Sequence, residues 1–128
     1  MILIIGGAYQ GKLAYAKDKY PDMIWTDGET CSEEELLECR GIFCFHKFIE
    51  RMMRDGKDLK GLTELIDRLT LKNPEIIIVT DEIGYGIVPV DTFEREYREN
   101  TGRVCTALAA KAEEVHRVIC GIGTKIKG

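Results

Sequence analysis

Met1-Ile-Leu-Ile-Ile-Gly-Gly-Ala-Tyr-Gln-Gly-Lys-Leu13 is the stretch that decides the fold of this chain. Its apolar run predicts a first β-strand over Ile2–Ile5, and the glycines and lysine that follow have the spacing G-x-x-x-x-G-K. A helix-forming segment, Lys12–Lys19, comes next. This is the layout of a P-loop, whose backbone N–H groups surround phosphates while the lysine reaches toward them. The alternative interpretation is a glycine-rich strand–helix turn with a surface lysine.

The P-loop interpretation predicts a nucleotide or phosphate site. Its residues are Gly6, Gly7, Ala8, Tyr9, Gln10, Gly11, Lys12 and Leu13. Leu13 stands where a Ser or Thr hydroxyl normally binds Mg²⁺ between the β- and γ-phosphates. Because leucine has no oxygen to offer, we expect Mg²⁺ binding to be weakened. Waters and nearby carboxylates are the remaining ligands for such an ion.

Composition predicts one globular domain over residues 1–128, with 45% hydrophobic and 31% charged residues. The net charge of −4 argues against a protein that coats nucleic acid. The apolar runs Met1–Ile5 and Ile76–Val79 are too short to span a membrane. The five cysteines contain no C-x-x-C pair, so we expect reduced thiols and a cytoplasmic protein.

Apolar runs alternate with amphipathic stretches along the chain. The runs predict strands over Ile2–Ile5, Met23–Thr26, Gly41–His46, Glu75–Thr80 and Val115–Cys120. The stretches between them predict helices over Lys12–Lys19, Ser32–Cys39, Lys47–Arg54, Leu59–Leu71 and Asp91–Ala112. Several strands are apolar at consecutive positions, which is typical of strands buried on both faces. The sequence therefore predicts an α/β fold with three layers: a mainly parallel sheet with helices on both faces.

Asp81 and Glu82 directly follow the predicted strand Glu75–Thr80, so we expect them at the carboxyl edge of the sheet beside the P-loop. One carboxylate could bind Mg²⁺ and the other could position a nucleophile. The segment Gly84–Pro89 that follows has the character of a ligand-binding loop. The alternative is that one carboxylate caps a turn and the other is solvated.

His46 ends the predicted strand Gly41–His46, so we expect it at the same edge of the sheet. A neutral imidazole there could act as a base or accept a phosphoryl or nucleotidyl group. His46 and Glu82 are therefore the candidate catalytic residues. The alternative for His46 is a histidine at a helix start or at the edge of the core, and His116 is expected to be structural.

A family resemblance extends over residues 1–16 and 74–127. The segment Thr80-Asp-Glu-Ile-Gly-Tyr-Gly-Ile-Val-Pro89 is similar to the NEVGxGIVP segment of the adenosylcobinamide kinase/adenosylcobinamide-phosphate guanylyltransferase family. The similarity continues through Gly102-Arg103 and Gly121-Ile-Gly123, and the opening glycine-rich turn resembles that family's G-G-A-R-S-G-K-S.

The resemblance implies an enzyme with two steps. The first phosphorylates the aminopropanol side chain of adenosylcobinamide with ATP or GTP, and the second transfers GMP from GTP through a histidine intermediate. The family's H-H-x-x-R-P-x-x-W run does not occur between residues 27 and 73, and Leu13 replaces the P-loop serine. The alternative is therefore a catalytically impaired nucleotide- or phosphate-binding regulatory module or subunit, and a homo-oligomer is left open.

Overall fold

The computed structural model describes residues 1–83 and 90–128. The strands are β1 (Ile2–Gly6), β2 (Trp25–Asp27), β3 (Gly41–Phe43), β4 (Ile77–Asp81), β5 (Glu114–Ile119) and β6 (Ile122–Lys127). The helices are α1 (Lys12–Lys19), α2 (Glu33–Glu38), α3 (Phe45–Arg54), α4 (Leu59–Lys72) and α5 (Thr92–Lys111). The ligand loop predicted at 84–89 lies outside the described residues.

The described strands form one sheet in the order β2-β3-β4-β1-β5-β6. Five strands are parallel, and β6 runs antiparallel to β5. The register pairs Gly6 at the end of β1 with Asp81 at the end of β4. The sheet therefore brings the glycine-rich turn and the predicted carboxylates to one edge.

Both faces of the sheet are covered, as the consecutive apolar residues predict. Leu3 and Ile78 belong to a buried cluster with side chains of α2, α3, α4 and α5. Their chain neighbours Ile4 and Val79 point to the other face, because successive strand side chains alternate, and they pack with Ala16 of α1. The predicted three-layer α/β fold is confirmed.

The turn between β5 and β6 was missed by the sequence interpretation, which ended the sheet at the fifth strand. Cys120 and Gly121 have φ values of 51° and 76°, and Ile119 pairs with Ile122 across them. Two central residues with positive φ are typical of the tight two-residue hairpin turn. Gly123 then lies against the ring of Tyr15 on α1, where any side chain would collide.

The predicted third strand was too long. It ends at Phe43 instead of His46, because Cys44 takes a left-handed conformation with φ 53° and caps α3. Gly28 packs against the carbonyl of Cys44 and donates its N–H to Phe43 O at 2.8 Å, which holds this turn in place. His46 therefore lies in the first turn of α3 and not in a strand.

Two further predictions concern bulk properties of the chain. Within residues 1–83 and 90–128, no helix is both long and apolar enough to cross a membrane. The five cysteines are free thiols, and three of them, Cys39, Cys44 and Cys105, are partly buried. No cluster of three or more His, Cys, Asp or Glu side chains suited to a metal ion occurs in the described part of the chain.

Candidate functional site

The P-loop turn leaves β1 at Gly6 and enters α1 at Lys12. Tyr9 and Gly11 adopt positive φ values of 60° and 83°, and Gly11 precedes the helix without a side-chain cap. A helix that begins without a side-chain cap leaves backbone N–H groups directed into the turn, which is the arrangement that attracts anions. The predicted strand–turn–helix layout is present, and a nucleotide or phosphate site at residues 6–13 stays a prediction.

Lys12 folds back over this turn instead of extending into solvent. Its Nζ donates to Gly7 O at 2.7 Å and lies 2.6 Å from Asp81 Oδ1. The residue is only 8% exposed. The alternative of a surface lysine is therefore wrong, and the ammonium is a fixed positive charge inside the P-loop.

Gln10 ties the P-loop to the β5–β6 turn. Its backbone carbonyl accepts the N–H of Gly121 at 2.8 Å, and its Oε1 accepts the N–H of Cys120 at 2.8 Å. A β-carbon on Gly11 would lie 3.2 Å from Gly121 Cα, so the two turns are in close contact. These contacts between the two turns require the β5–β6 hairpin, and no local sequence pattern predicts that hairpin.

The two predicted carboxylates point in different directions. Asp81 faces α1 and pairs with Lys12, whereas the side chain of Glu82 forms a two-point ion pair with Arg117 of β5, with Arg117 Nε 3.1 Å from Glu82 Oε1. Alternation along the strand explains the divergence. The structure thus brings Asp81, but not the carboxylate of Glu82, to Lys12.

His46 reaches the site from the first turn of α3. Its Nδ1 accepts the backbone N–H of Asp81 at 3.1 Å, and its Nε2 lies 3.4 Å from Asp81 Oδ2. Tyr97 of α5 donates its hydroxyl to His46 O at 2.9 Å, which fixes the backbone of this turn. The predicted proximity of His46 to the P-loop is therefore present, although the histidine belongs to a helix.

The electrostatics of this group favour a neutral imidazole. Burial lowers the pKa of His46 below its usual value, and the Asp81 carboxylate opposes that shift only in part. Because Nδ1 accepts a backbone N–H, the ring proton belongs on Nε2, facing the carboxylate. The neutral ring therefore turns Nε2 toward the Asp81 carboxylate, 3.4 Å from Oδ2, and adds no net charge.

Two cavities meet at this group. The first, of about 290 Å³, lies along the P-loop helix and is lined by Lys12, Leu13, Phe43 and Val79, among others. The second, of about 550 Å³, extends toward Glu29, Lys47, Ile83 and Tyr97. Both cavities share Tyr9, Cys44, His46 and Asp81. Asp81 and His46 thus form part of the boundary between them.

The described residues do not form the usual protein site for Mg²⁺ beside a P-loop. Leu13 lines the first cavity with carbon atoms only, and the Glu82 carboxylate is held by Arg117. Mg²⁺ prefers oxygen ligands. Of the two candidate carboxylates, Asp81 faces Lys12 and Glu82 does not. The metal role of Asp81 and Glu82 stays a prediction.

Comparison with known proteins adds to this geometry. Residues 22–126 match the family model described as cobinamide kinase / cobinamide phosphate guanyltransferase. The chain is 49% identical over 53 residues to the bifunctional adenosylcobalamin biosynthesis protein CobU of Salmonella typhimurium, covering 41% of this chain and 29% of that protein. The CobU protein of Escherichia coli gives the same identity and coverage.

A longer alignment relates the chain to the bifunctional adenosylcobalamin biosynthesis protein CobP of Pseudomonas aeruginosa. The two are 29% identical over 100 residues, which cover 76% of this chain and 58% of that protein. The chain therefore spans less than two thirds of the length of each of these relatives. The family model nevertheless covers most of the chain, and the chain belongs to the cobinamide kinase / cobinamide phosphate guanyltransferase family.

Proposed function

We propose that this chain binds GTP or ATP at residues 6–12 and transfers a phosphoryl group to adenosylcobinamide. The observation that carries the proposal is the buried ammonium of Lys12, which lies inside the P-loop at 2.7 Å from Gly7 O. A lysine in that place provides the positive charge that nucleotide phosphates require. Membership of the family supplies the acceptor, since its description names a cobinamide kinase.

The proposal includes the second transfer named by the family, in which GMP moves from GTP to the phosphorylated product. Of the two histidines, His46 is the one that shares a contact with Lys12, because both side chains lie against Asp81. Its Nδ1 is engaged by a backbone N–H, so attack by that nitrogen would require the hydrogen bond to break. The geometry therefore supports the phosphoryl step more directly than the GMP step.

A second candidate function is a module that binds nucleotide or phosphate without turnover. Leu13 favours it, because this side chain brings no oxygen to the first cavity. The ion pair between Lys12 and Asp81 favours it too, since the carboxylate partly neutralises the ammonium. Such a module would bind nucleotide and would release no nucleoside diphosphate when the acceptor is added.

The test measures nucleoside diphosphate release by the purified chain with adenosylcobinamide and either ATP or GTP, in the presence of Mg²⁺. The kinase proposal predicts acceptor-dependent release that falls to background in Lys12→Ala. Titration calorimetry with the same nucleotides separates the two functions. Binding without acceptor-dependent release would select the module, and neither binding nor release would refute both.

A further inference from the structure

The feature that suggests more than the family assignment is the side chain of Tyr9, at the tip of the P-loop. Tyr9 is fully exposed. Among the large apolar side chains that are exposed in the described part of the chain, it is the one that lines the two cavities beside Lys12. The ring therefore lies at the mouth of the site and loses no area to packing within the chain.

The backbone at Tyr9 is also unusual. Its φ of 60° lies in the left-handed region, which a bulky residue seldom adopts because its β-carbon crowds the following carbonyl group. Glycine takes this conformation freely, and Gly6, Gly7 and Gly11 belong to the same turn. A tyrosine here costs stability without any gain in packing. An outlier of this kind indicates a residue that is kept for contact with a ligand.

The nucleotide phosphates do not need the Tyr9 ring. A P-loop holds phosphates with backbone N–H groups and with its lysine, and Lys12 provides that ammonium. The G-G-A-R-S-G-K-S segment of the family has an arginine at this place, a cation suited to phosphate, whereas Tyr9 brings no charge. Its apolar ring suits a second ligand that approaches the phosphates from outside. In a kinase that ligand is the phosphoryl acceptor.

We propose that Tyr9 is a specificity-determining residue for the acceptor. Its ring packs against the macrocycle of adenosylcobinamide, while the aminopropanol arm enters the cavity that reaches Lys12. The inference rests on the proposed kinase function and deepens it by assigning the residue that recognises the body of the acceptor. It requires no charge on Tyr9 and no change in the P-loop backbone.

The size and lining of the first cavity suit the arm. Its volume is about 290 Å³, and Leu13, Phe43 and Val79 are among the residues of its apolar walls. A short amino-alcohol chain fits a space of this size, whereas the macrocycle with its amide side chains is too large for it. Lys12 lines the same cavity, so the hydroxyl group of the arm can approach a phosphate held by the ammonium. The macrocycle then stays at the mouth, where Tyr9 is exposed.

The second cavity offers polar partners to the rim of the macrocycle. It measures about 550 Å³, and Glu29 and Lys47 belong to its lining. Carboxamide side chains, which the macrocycle carries on its rim, both donate and accept hydrogen bonds. Because Tyr9 lines this cavity as well as the first, its ring borders the path of the arm and the seat of the rim together.

The decisive experiment is calorimetric titration of adenosylcobinamide into protein saturated with a non-hydrolysable analogue of ATP or GTP. Tyr9→Ala should raise the Kd of the acceptor about tenfold, the value of a well-packed aromatic contact, while the Kd of the nucleotide analogue changes less than twofold. Tyr9→Phe keeps the ring and should stay within twofold of wild type for both ligands. Leu71→Ala truncates an exposed apolar side chain outside both cavities; it is the matched control and should change neither Kd.

A second variant separates ring contact from loop geometry. Tyr9→Gly removes the ring and accepts the positive φ freely, whereas Tyr9→Ala keeps the strained backbone. If the ring acts by contact, both variants should lose the same acceptor affinity and, during turnover, should raise KM about tenfold with kcat within threefold of wild type. Acceptor affinity that falls in Tyr9→Ala but is kept in Tyr9→Gly would overturn the proposal, because the effect would then come from the backbone.

Adenosylcobyric acid, which has the same macrocycle without the aminopropanol arm, tests which part of the acceptor meets the ring. Its Kd should also rise about tenfold in Tyr9→Ala. A loss of affinity seen with adenosylcobinamide alone would overturn the assignment of the ring to the macrocycle.

The possible failures are distinguishable. If wild-type protein binds both ligands without acceptor-dependent release, the proposed kinase function fails, and the titrations still decide the role of Tyr9. If wild-type protein turns over and Tyr9→Ala keeps its affinity for the acceptor, the kinase stands and this inference alone is refuted. A tenfold loss of nucleotide affinity with unchanged acceptor affinity would refute it as well. No binding of adenosylcobinamide by wild-type protein would refute both.

Discussion

Leu13→Ser restores the missing hydroxyl of the P-loop and should create a dependence on Mg²⁺. Leu13 is half-buried as the second residue of α1 and lines the first cavity. Removing its side chain costs roughly 1 kcal/mol of stability, about half the value for a fully buried leucine. The new oxygen adds one charge-assisted contact worth about 1.5–3 kcal/mol to bound Mg²⁺–nucleotide, which corresponds to a factor of roughly 10–100 in affinity.

The assay is calorimetric titration of GTP and ATP with Mg²⁺ or with EDTA. Wild-type protein should show affinities that agree within about threefold, whereas Leu13→Ser should bind at least tenfold more tightly with Mg²⁺. Leu13→Ala is the matched control, because it makes the same truncation without the hydroxyl. Equal Mg²⁺ responses in the serine and alanine variants would refute the reasoning, as would a strong Mg²⁺ response in the wild type.

Three smaller predictions concern the frame around the site. Gln10→Ala removes the hydrogen bond to Cys120 N–H and should cost about 1 kcal/mol of unfolding free energy, measured by urea denaturation. Gly102→Ala should stabilise the protein by about 0.5–1 kcal/mol in the same assay, because Gly102 is exposed in α5 and an added β-carbon meets nothing within 4 Å; a loss of stability would contradict this. Burial raises the pKa of Cys105 to about 11, so its thiolate is scarce at pH 8 and its alkylation rate should rise about tenfold per pH unit up to that value. Mass spectrometry of protein treated with iodoacetamide should find exposed Cys120 modified before Cys105.

Many of the helices and strands around the site are predictable from the sequence, because they depend on short-range patterns. The helix Lys12–Lys19 has the bounds that the sequence predicts. The capping box at Ser32 and Glu35 is present with both of its hydrogen bonds. Consecutive apolar residues in β4 correctly indicate a strand buried between two layers of helices. These features need no knowledge of distant partners.

The parts that could not be predicted depend on local exceptions or on distant contacts. Cys44 and Cys120 take left-handed conformations, which non-glycine residues seldom adopt. The sequence therefore lacks the glycine that would predict the start of α3 at Cys44 or the turn before β6 at Cys120. The ion pair between Lys12 and Asp81 joins residues far apart in the chain. The direction of Glu82 toward Arg117 depends on the register of β5 with β1, which no local pattern specifies.

The central claim is that the buried ammonium of Lys12 holds nucleotide phosphates within the P-loop. Its most direct test is the dissociation constant of GTP measured by titration calorimetry for wild-type protein and for Lys12→Met, which keeps most of the side-chain volume. We predict saturable binding by the wild type and a loss of affinity of about 10–100-fold in the variant, the value of one charge-assisted hydrogen bond. Equal affinities, or no saturable binding of GTP or ATP by wild-type protein, would contradict the account.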